Sequence, residues 1–401
     1  MPPATARTAV ESAHDQAPPA PALPRVAVDL RALVPTPTGI GVYTRSLLAA
    51  LARRGGMRYL GLAHRPLAPA RGTGELEALG VVLEHQAARG SGLRPRLLGV
   101  AWQQLLLPRR LARGDVDLFW SPLITLPLRC PVPAVATVHD LTVLLLPEAH
   151  RFKVRWSLLP FLSASLESAR RVVTLARATA DDLAFHFPRC AAKLRVVNPG
   201  IDPEFRPARP EQIAATRERL GAPDGYLLYA GTLEPRKNVT ALLDAWESLA
   251  GDDPSFPPLV LAGPYGWGSR GLAERIAALS GRGVVALGHL ERAVLVEVFQ
   301  GAKLFVYPSL YEGFGLPPAE ALACGVPAVA AASSSLPEVV GDAGVLVEPG
   351  SAAALAAALH QLQADPARLA ALAARARAQA ARFTWERAAR EMEEVFGEAL
   401  E

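Results

Sequence analysis

Apolar residues in this chain fall in short unbroken runs, separated by longer stretches in which they recur every three or four positions. The first run is 25–29 (RVAVD), and others stand at 59–63, 81–84, 117–120, 134–138, 172–175 and 194–197. Runs of that length without alternation suit strands buried on both faces. Helical patterns lie between several of them. The clearest, 43–51, follows a loop of Gly, Pro and Thr at 35–41. Strands alternating with helices predict βαβ units and a parallel sheet.

The series breaks at 198–210 (NPGIDPEFRPARP), where four prolines in thirteen residues mark an interdomain linker. A second series follows, with strands at 226–230, 259–262, 284–287, 304–307, 328–330 and 345–347 and helices such as 240–249 and 293–300. From 352 onward the chain is Ala-rich and helical. Phe383, Trp385, Met392, Val395 and Phe396 form an apolar stripe on a last helix. The expected organisation is a disordered tail over 1–24, a Rossmann-like domain over 25–205, a second over 206–380, and a final helix over 381–401. The fold class is α/β, two Rossmann-like domains with parallel sheets facing across a cleft.

Bulk properties narrow the function. A length of 401 residues exceeds one ordinary domain, and half the residues are hydrophobic. A net charge of +4 is too small for a dedicated nucleic-acid binder. Cys130, Cys190 and Cys324 have the spacing of neither a zinc site nor a disulfide framework, which reads as reduced thiols in a cytoplasmic protein. No run of about 18 apolar residues predicts a membrane span, and the first 24 residues lack the apolar core of a signal peptide.

The segment 308–327 (PSLYEGFGLPPAEALACGVP) carries the most chemistry. A strand runs into a Gly-containing loop, and Pro317 and Pro318 suit the first turn of a helix. Helix N-termini present free N–H groups and partial positive charge to a diphosphate. Gly313 and Gly315 are expected to let the backbone approach that ligand. Glu312 and Glu320 repel phosphate and are better acceptors for hydroxyls, Glu312 for a transferred sugar and Glu320 for a ribose diol. The alternative is a solvated helix start with two dipole-favoured carboxylates. After the strand ending at Ala230 comes 231–238 (GTLEPRKN). Ligands of open α/β sheets bind beyond the strands' carboxyl ends, so Arg236 and Lys237 stand where an anion would lie. The alternative is a basic surface turn. His139 and Asp140 close a strand of the first series, positioned for a sugar hydroxyl or for orienting the loop. Gly39 and Gly41 sit at a strand-to-helix turn but lack the third glycine of a dinucleotide motif, which disfavours a nicotinamide oxidoreductase. Asp115-Val116-Asp117 has the form of a metal-binding Asp-x-Asp pair, yet it begins a strand and so lies at the wrong end of the sheet. No metal and no cofactor are expected.

These segments together resemble the large GT4 family of retaining glycosyltransferases. The 312–320 stretch is similar to its Glu-x7-Glu motif and GTLEPRKN to its donor-phosphate segment. VDLRAL, TGIGVYTRSLL, TVHDLTVLLLPE, RVVNPGIDPEF and SSLPEVVGDAGVLVEP resemble further landmarks along most of the chain. The resemblance implies a GT-B fold, acceptor in the first domain, nucleotide-sugar donor in the second, and a last helix crossing back. It implies that Glu320 binds ribose and Glu312 the donor sugar, and that the amides of Gly313, Phe314, Gly315 and Leu316 serve sugar and phosphate. Arg236 and Lys237 would stabilise the diphosphate, and His139 would contact the sugar near its anomeric carbon. Gly39 and Gly41 would lie near diphosphate and acceptor, with Gly288, His289 and Leu290 flanking the base. Three positions depart from the pattern: Ala176-Arg177 replaces a usual Ser-Glu, Asn198-Pro199-Gly200 a usual Pro-Asn-Gly, and Val42 a frequent Arg. The expected activity is metal-independent, retaining transfer of a hexose, mannose from GDP-mannose foremost, to a glycan or lipid-linked acceptor. A sugar-nucleotide 2-epimerase of the same architecture and an inactive nucleotide-sugar-binding protein are the alternatives. Six arginines and no acid among the basic residues of 89–113, with Trp102 and several leucines, and Arg151, Lys153, Arg155 and Trp156 form basic amphipathic clusters suited to the inner face of a membrane.

Overall fold

The computed structural model describes residues 23–34, 38–67, 73–85, 95–146, 161–222 and 224–401. Residues 1–22 of the tail, the 151–156 cluster and the 89–94 part of the basic stretch lie outside them.

Each of the thirteen apolar runs is a strand. The first sheet holds β1 (Arg25–Asp29), β2 (Arg58–Ala63), β3 (Val82–His85), β4 (Leu118–Ser121), β5 (Ala134–Val138), β6 (Arg171–Thr174) and β7 (Leu194–Val196). The second holds β8 (Leu227–Ala230), β9 (Leu259–Ala262), β10 (Val284–Gly288), β11 (Leu304–Tyr307), β12 (Ala328–Ala331) and β13 (Gly344–Val347). The orders are β3-β2-β1-β4-β5-β6-β7 and β10-β9-β8-β11-β12-β13. The pairings are parallel throughout, for example β1 with β4 and β8 with β11. Central strands such as β5, β8 and β11 are buried at every residue, because helices cover both faces of a doubly wound sheet. In each sheet the winding reverses between the first strand and its fourth-numbered neighbour, β1/β4 and β8/β11. A crevice opens at the carboxyl ends there.

The last helix, Trp385–Leu400, starts at Thr384, whose side chain accepts from the Arg387 amide. It leaves the second domain and packs on the Gly39–Arg54 helix and on β4, β5 and β6. Trp385, Met392, Val395 and Phe396 are buried beside Tyr43 and Trp120. Glu393 pairs with Arg54 (2.7 Å), and Glu398 with Arg171 (2.7 Å) and Arg195 (2.7 Å). The linker passes directly under this helix: a Cβ on Gly200 would lie 2.3 Å from the Trp385 nitrogen. The chain therefore crosses between the domains twice at one place, where the Gly200 backbone must touch the helix start.

Candidate active site

The carboxyl ends of β8 and β11 deliver the two segments singled out in the sequence to one spot. After β8, the 3-10 turn Pro235–Lys237 ends at Asn238, which takes a left-handed conformation (φ 52°). That turn directs Lys237 inward and Arg236 along the cleft. After β11, residues 308–315 loop back over it, and the Leu310 amide donates to the Arg236 carbonyl (2.9 Å). Lys237 Nζ donates to Glu312 Oε1 (2.5 Å) and to the Tyr307 hydroxyl (2.7 Å). Ser309 Oγ donates to the same Glu312 oxygen (2.6 Å). Arg236 Nη1 lies 3.4 Å from Glu312 Oε2, and its Nε pairs with Glu234 at 2.6 Å.

Glu312 and Lys237 are each only 7% exposed. Burial alone would push the Glu312 carboxyl up. The Lys237 and Arg236 charges and the bonds from Lys237 and Ser309 outweigh it and hold the carboxyl below its usual range. The same burial, with Arg236 alongside, draws the Lys237 ammonium down against the pull of Glu312. Glu312 is thus an ionised carboxylate locked between two cations. The sequence reading gave it a sugar to bind; the structure shows its oxygens engaged by the protein.

Three serines after β12 hold this loop in place. The Glu312 amide donates to Ser334 Oγ (2.8 Å), Ser335 Oγ donates to the Glu312 and Phe314 carbonyls (3.0 and 2.7 Å), and Ser333 Oγ donates to the Ser309 carbonyl (2.8 Å). The sequence contained them only as part of a landmark string. Nothing in local spacing reveals a hydroxyl's partner on a neighbouring strand.

Gly315 takes φ +96° at the start of the Leu316–Ala323 helix, where a side chain would be strained. Gly313 is set against the first domain. A Cβ there would meet the His139 carbonyl oxygen at 1.7 Å, so this glycine serves the approach of one domain to the other. Phe314 is buried as well. Its ring packs against Phe383, 5.1 Å between centroids.

Glu320 projects from the same helix and is half-buried. Burial pushes its carboxyl up to about 7, with Asp202 and Glu204 adding to the rise and Arg292 opposing it. Arg292 itself pairs with Asp202 (2.5 Å) and Glu204 (2.7 Å). None of these three was singled out from sequence. They come from the linker and from the start of the Arg292–Gly301 helix after β10, 90 residues apart for Arg292 and Asp202. Gly288, at φ +63°, accepts from the Gly263 amide (2.8 Å) through its carbonyl. His289 is exposed and Leu290 half-buried on the same rim.

Across the cleft the first domain presents a different surface. His139 directly follows β5, and its Nε2 lies 2.7 Å from the Pro122 carbonyl. A carbonyl only accepts, so Nε2 carries the hydrogen and Nδ1 is the ring's acceptor. Burial lowers the His139 pKa, with the Pro122 bond and Asp140 opposing, which favours the neutral ring. Its edge rests on Tyr43, 5.0 Å between centroids. Asp140 Oδ1 accepts from the Thr142 amide (3.0 Å) and hydroxyl (2.6 Å), which orients the loop, while its charge also acts across the cleft on Arg236 and Tyr311. Thr38 caps the Gly39–Arg54 helix by accepting from the Gly41 amide (3.1 Å). A Cβ on Gly41 would lie 2.8 Å from the Ala32 carbonyl oxygen, whereas Gly39 faces open space. Gly41 therefore serves close packing of the helix, and Gly39 alone leaves room for a ligand.

Asp115 and Asp117 precede β4 at the amino end of the sheet. Asp115 pairs with Arg110 (2.6 Å) and Arg25 (3.0 Å), and Asp117 accepts from the Arg25 amide (2.8 Å). Among the described residues, no group of three or more His, Cys, Asp or Glu could hold a metal ion, and no helix is long and apolar enough to cross a membrane. In the basic stretch, Trp102, Leu107 and Arg110 are buried. Arg110 is spent on Glu84 and Asp115, while Val100 and Leu105 remain exposed.

Residues 212–379 match the family model described as Glycosyl transferases group 1, and residues 37–205 match Glycosyltransferase Family 4. The O-antigen chain mannosyltransferase B of Escherichia coli is 32% identical over 363 residues, 87% of this chain and 93% of that protein. A D-inositol 3-phosphate glycosyltransferase of Streptomyces bingchenggensis is 36% identical over 249 residues, 58% of this chain and 54% of that one. The crystal structure of Anabaena HepE in complex with UDP-glucose matches with a TM-score of 0.73 at 21% identity, covering 93% of this chain and 99% of that one.

Proposed function

The chain belongs to the family-4, group-1 glycosyltransferases and is a glycosyltransferase of GT-B fold; from that premise we propose that it transfers mannose from GDP-mannose to a glycan or lipid-linked saccharide, with retention and without a divalent metal. The observation that carries the reading is the Arg236–Lys237–Glu312 cluster at the β8/β11 crevice. Cleaving the bond from sugar to nucleoside diphosphate builds negative charge on the distal phosphate. Fixed cations aimed at that point stabilise the transition state more than the ground state. Glu312 keeps both cations in place while they await the phosphate. With its oxygens held by Lys237, Ser309 and Arg236, Glu312 is a weak nucleophile, which favours front-face attack within an ion pair over a covalent glycosyl-enzyme. Glu320, in no ion pair among the described residues, is the acceptor for ribose hydroxyls, and the His139 Nδ1 lone pair is the acceptor for a sugar hydroxyl. The choice of mannose follows the Escherichia coli relative.

Incubating the purified protein with GDP-mannose, UDP-glucose and UDP-galactose, each with a saccharide acceptor panel and EDTA, tests this reading. Mannosyl transfer in EDTA with an α-linked product is expected. Activity that returns only with magnesium or manganese, or a β-linked product, would overturn the mechanism. Exclusive use of a UDP-hexose would overturn the donor.

A further inference from the structure

The helix Arg177–His186 lies in the acceptor domain just after β6 and begins without a cap of its own, because Ala176 stands at the N-cap and makes no side-chain bond. Alanine is among the poorest residues at that position, and the first amides of a helix otherwise go unpaired. Here they are paired from the other side of the cleft. The Arg177 amide donates to Glu338 Oε2 (3.0 Å) and the Ala178 amide to Glu338 Oε1 (2.8 Å). Glu338 belongs to the donor domain, on the short helix Leu336–Val340 that follows the three serines holding the Glu312 loop. The same acceptor-domain helix touches that loop twice more. Thr179 Oγ1 donates to the Gly313 carbonyl (3.3 Å), and the Tyr311 hydroxyl donates to Asp182 Oδ2 (2.7 Å).

We infer that Glu338 is a positioning residue that fixes the closed cleft, capping the acceptor-domain helix from the donor domain and so docking that helix onto the Glu312 loop. The two anionic oxygens meet two free amides and the positive end of the helix dipole, an interaction available only when the domains are together. It is reinforced where Gly313 lets the loop backbone reach the His139 carbonyl. The Ala176-Arg177 departure noted in the sequence fits this arrangement. A helix capped from outside needs no capping side chain of its own, and an acidic residue at 177 would place a second negative charge beside Glu338. The effect on turnover rests on the proposed transferase reading, but the effect on closure does not.

Spin labels on one exposed site in each domain of the full chain, read by double electron–electron resonance, report the interdomain distance directly. Amide exchange at Arg177 and Ala178 reports the cap. Glu338→Ala is expected to lengthen or broaden that distance and to accelerate exchange at those two amides. It should lower turnover of GDP-mannose about tenfold or more, the order expected when reacting groups lose their alignment. The GDP dissociation constant should change less than about twofold, since the donor cluster sits within one domain. Glu338→Gln keeps one carbonyl acceptor and is expected to fall between. Should the alanine variant fold poorly, Tyr311→Phe paired with Asp182→Asn opens the same dock from its other end. An unchanged distance distribution with unchanged exchange in Glu338→Ala would overturn the inference, as would a loss of GDP affinity equal to the loss of turnover. If the unmodified protein turns over no sugar nucleotide, the transferase reading falls while the distance and exchange measurements still decide the role of Glu338.

Discussion

The two walls of the cleft are built alike and charged differently. Each is the carboxyl edge of a parallel, doubly wound sheet, and each places its candidate residues at or near the winding reversal. On the wall of the second domain, Glu312 and Lys237 are charged groups buried to within 7% and bonded to one another. On the wall of the first domain, burial favours the neutral form of His139, which is tied to a carbonyl, while Asp140 Oδ1 is bonded within its own turn. Topology thus fixes where a ligand can sit, and the side chains decide which half of the reaction each wall serves. In the proposed reading, the wall that stabilises a departing diphosphate is the one that carries fixed charge. The opposite wall needs only to accept and orient hydroxyls.

The comparison breaks most visibly at Lys237. Lys237→Ala leaves the Glu312 carboxylate buried with Arg236 as its remaining cation, at 3.4 Å, and removing one member of a buried pair costs about 3–5 kcal/mol. Denaturant melts should show a loss of that size together with collapse of turnover. Lys237→Met combined with Glu312→Gln should recover most of the stability and none of the activity. If the double variant is as unstable as the single one, the pair is not what holds the loop. Arg236→Ala should act on chemistry first, lowering kcat on the order of 10²–10³ with a smaller rise in donor KM. Near-normal kcat would move the leaving-group site elsewhere.

Glu320 sharpens the contrast through pH. Its folded pKa of about 7 lies above the ordinary 4.5. The folded protein therefore holds a proton that the unfolded chain has released, and this contribution to stability fades as pH rises from 4.5 through 7. Glu320→Gln should melt higher than the unmodified protein at pH 8 and equally at pH 4. A ribose diol donates to the ionised form, so calorimetry should find GDP bound more tightly at pH 8 than at pH 6, a difference that Glu320→Gln removes. His139 runs the other way. Its pKa is depressed from 6.5, so the unfolded chain takes the proton first and stability is lost as pH falls below that value. His139→Asn should blunt this acid sensitivity in thermal melts at pH 5 and 7. The smallest effect separates the two glycines of the acceptor wall. Gly41→Ala meets the Ala32 carbonyl and should cost about 1–3 kcal/mol, whereas Gly39→Ala should leave stability within about 0.5 kcal/mol and alter only acceptor KM. Equal melting losses for both would remove the distinction drawn between them.

Strand positions were legible because burial on both faces leaves an unbroken apolar run, as in β9 and β11, whose bounds are those read from sequence. The last helix was legible for a similar reason: its stripe of Trp385, Met392, Val395 and Phe396 has one period and one destination. Positively charged and acidic residues beyond strand ends were also visible, since the winding rule needs only strand order. What each of them touches was not. The sequence placed Glu312 beside Gly313 and Arg236 beside Lys237, but the bond of Lys237 to Glu312 spans 75 positions, and that of Glu338 to Ala178 spans 160. Local periodicity records which way a residue faces within its own element, because that is set by a backbone repeat of two or 3.6. It carries no record of which element lies opposite. That depends on how two sheets are brought together, and only the tertiary structure decided that Glu312 holds cations, that Gly313 clears a path for the other domain, and that a helix without a cap finds one across the cleft.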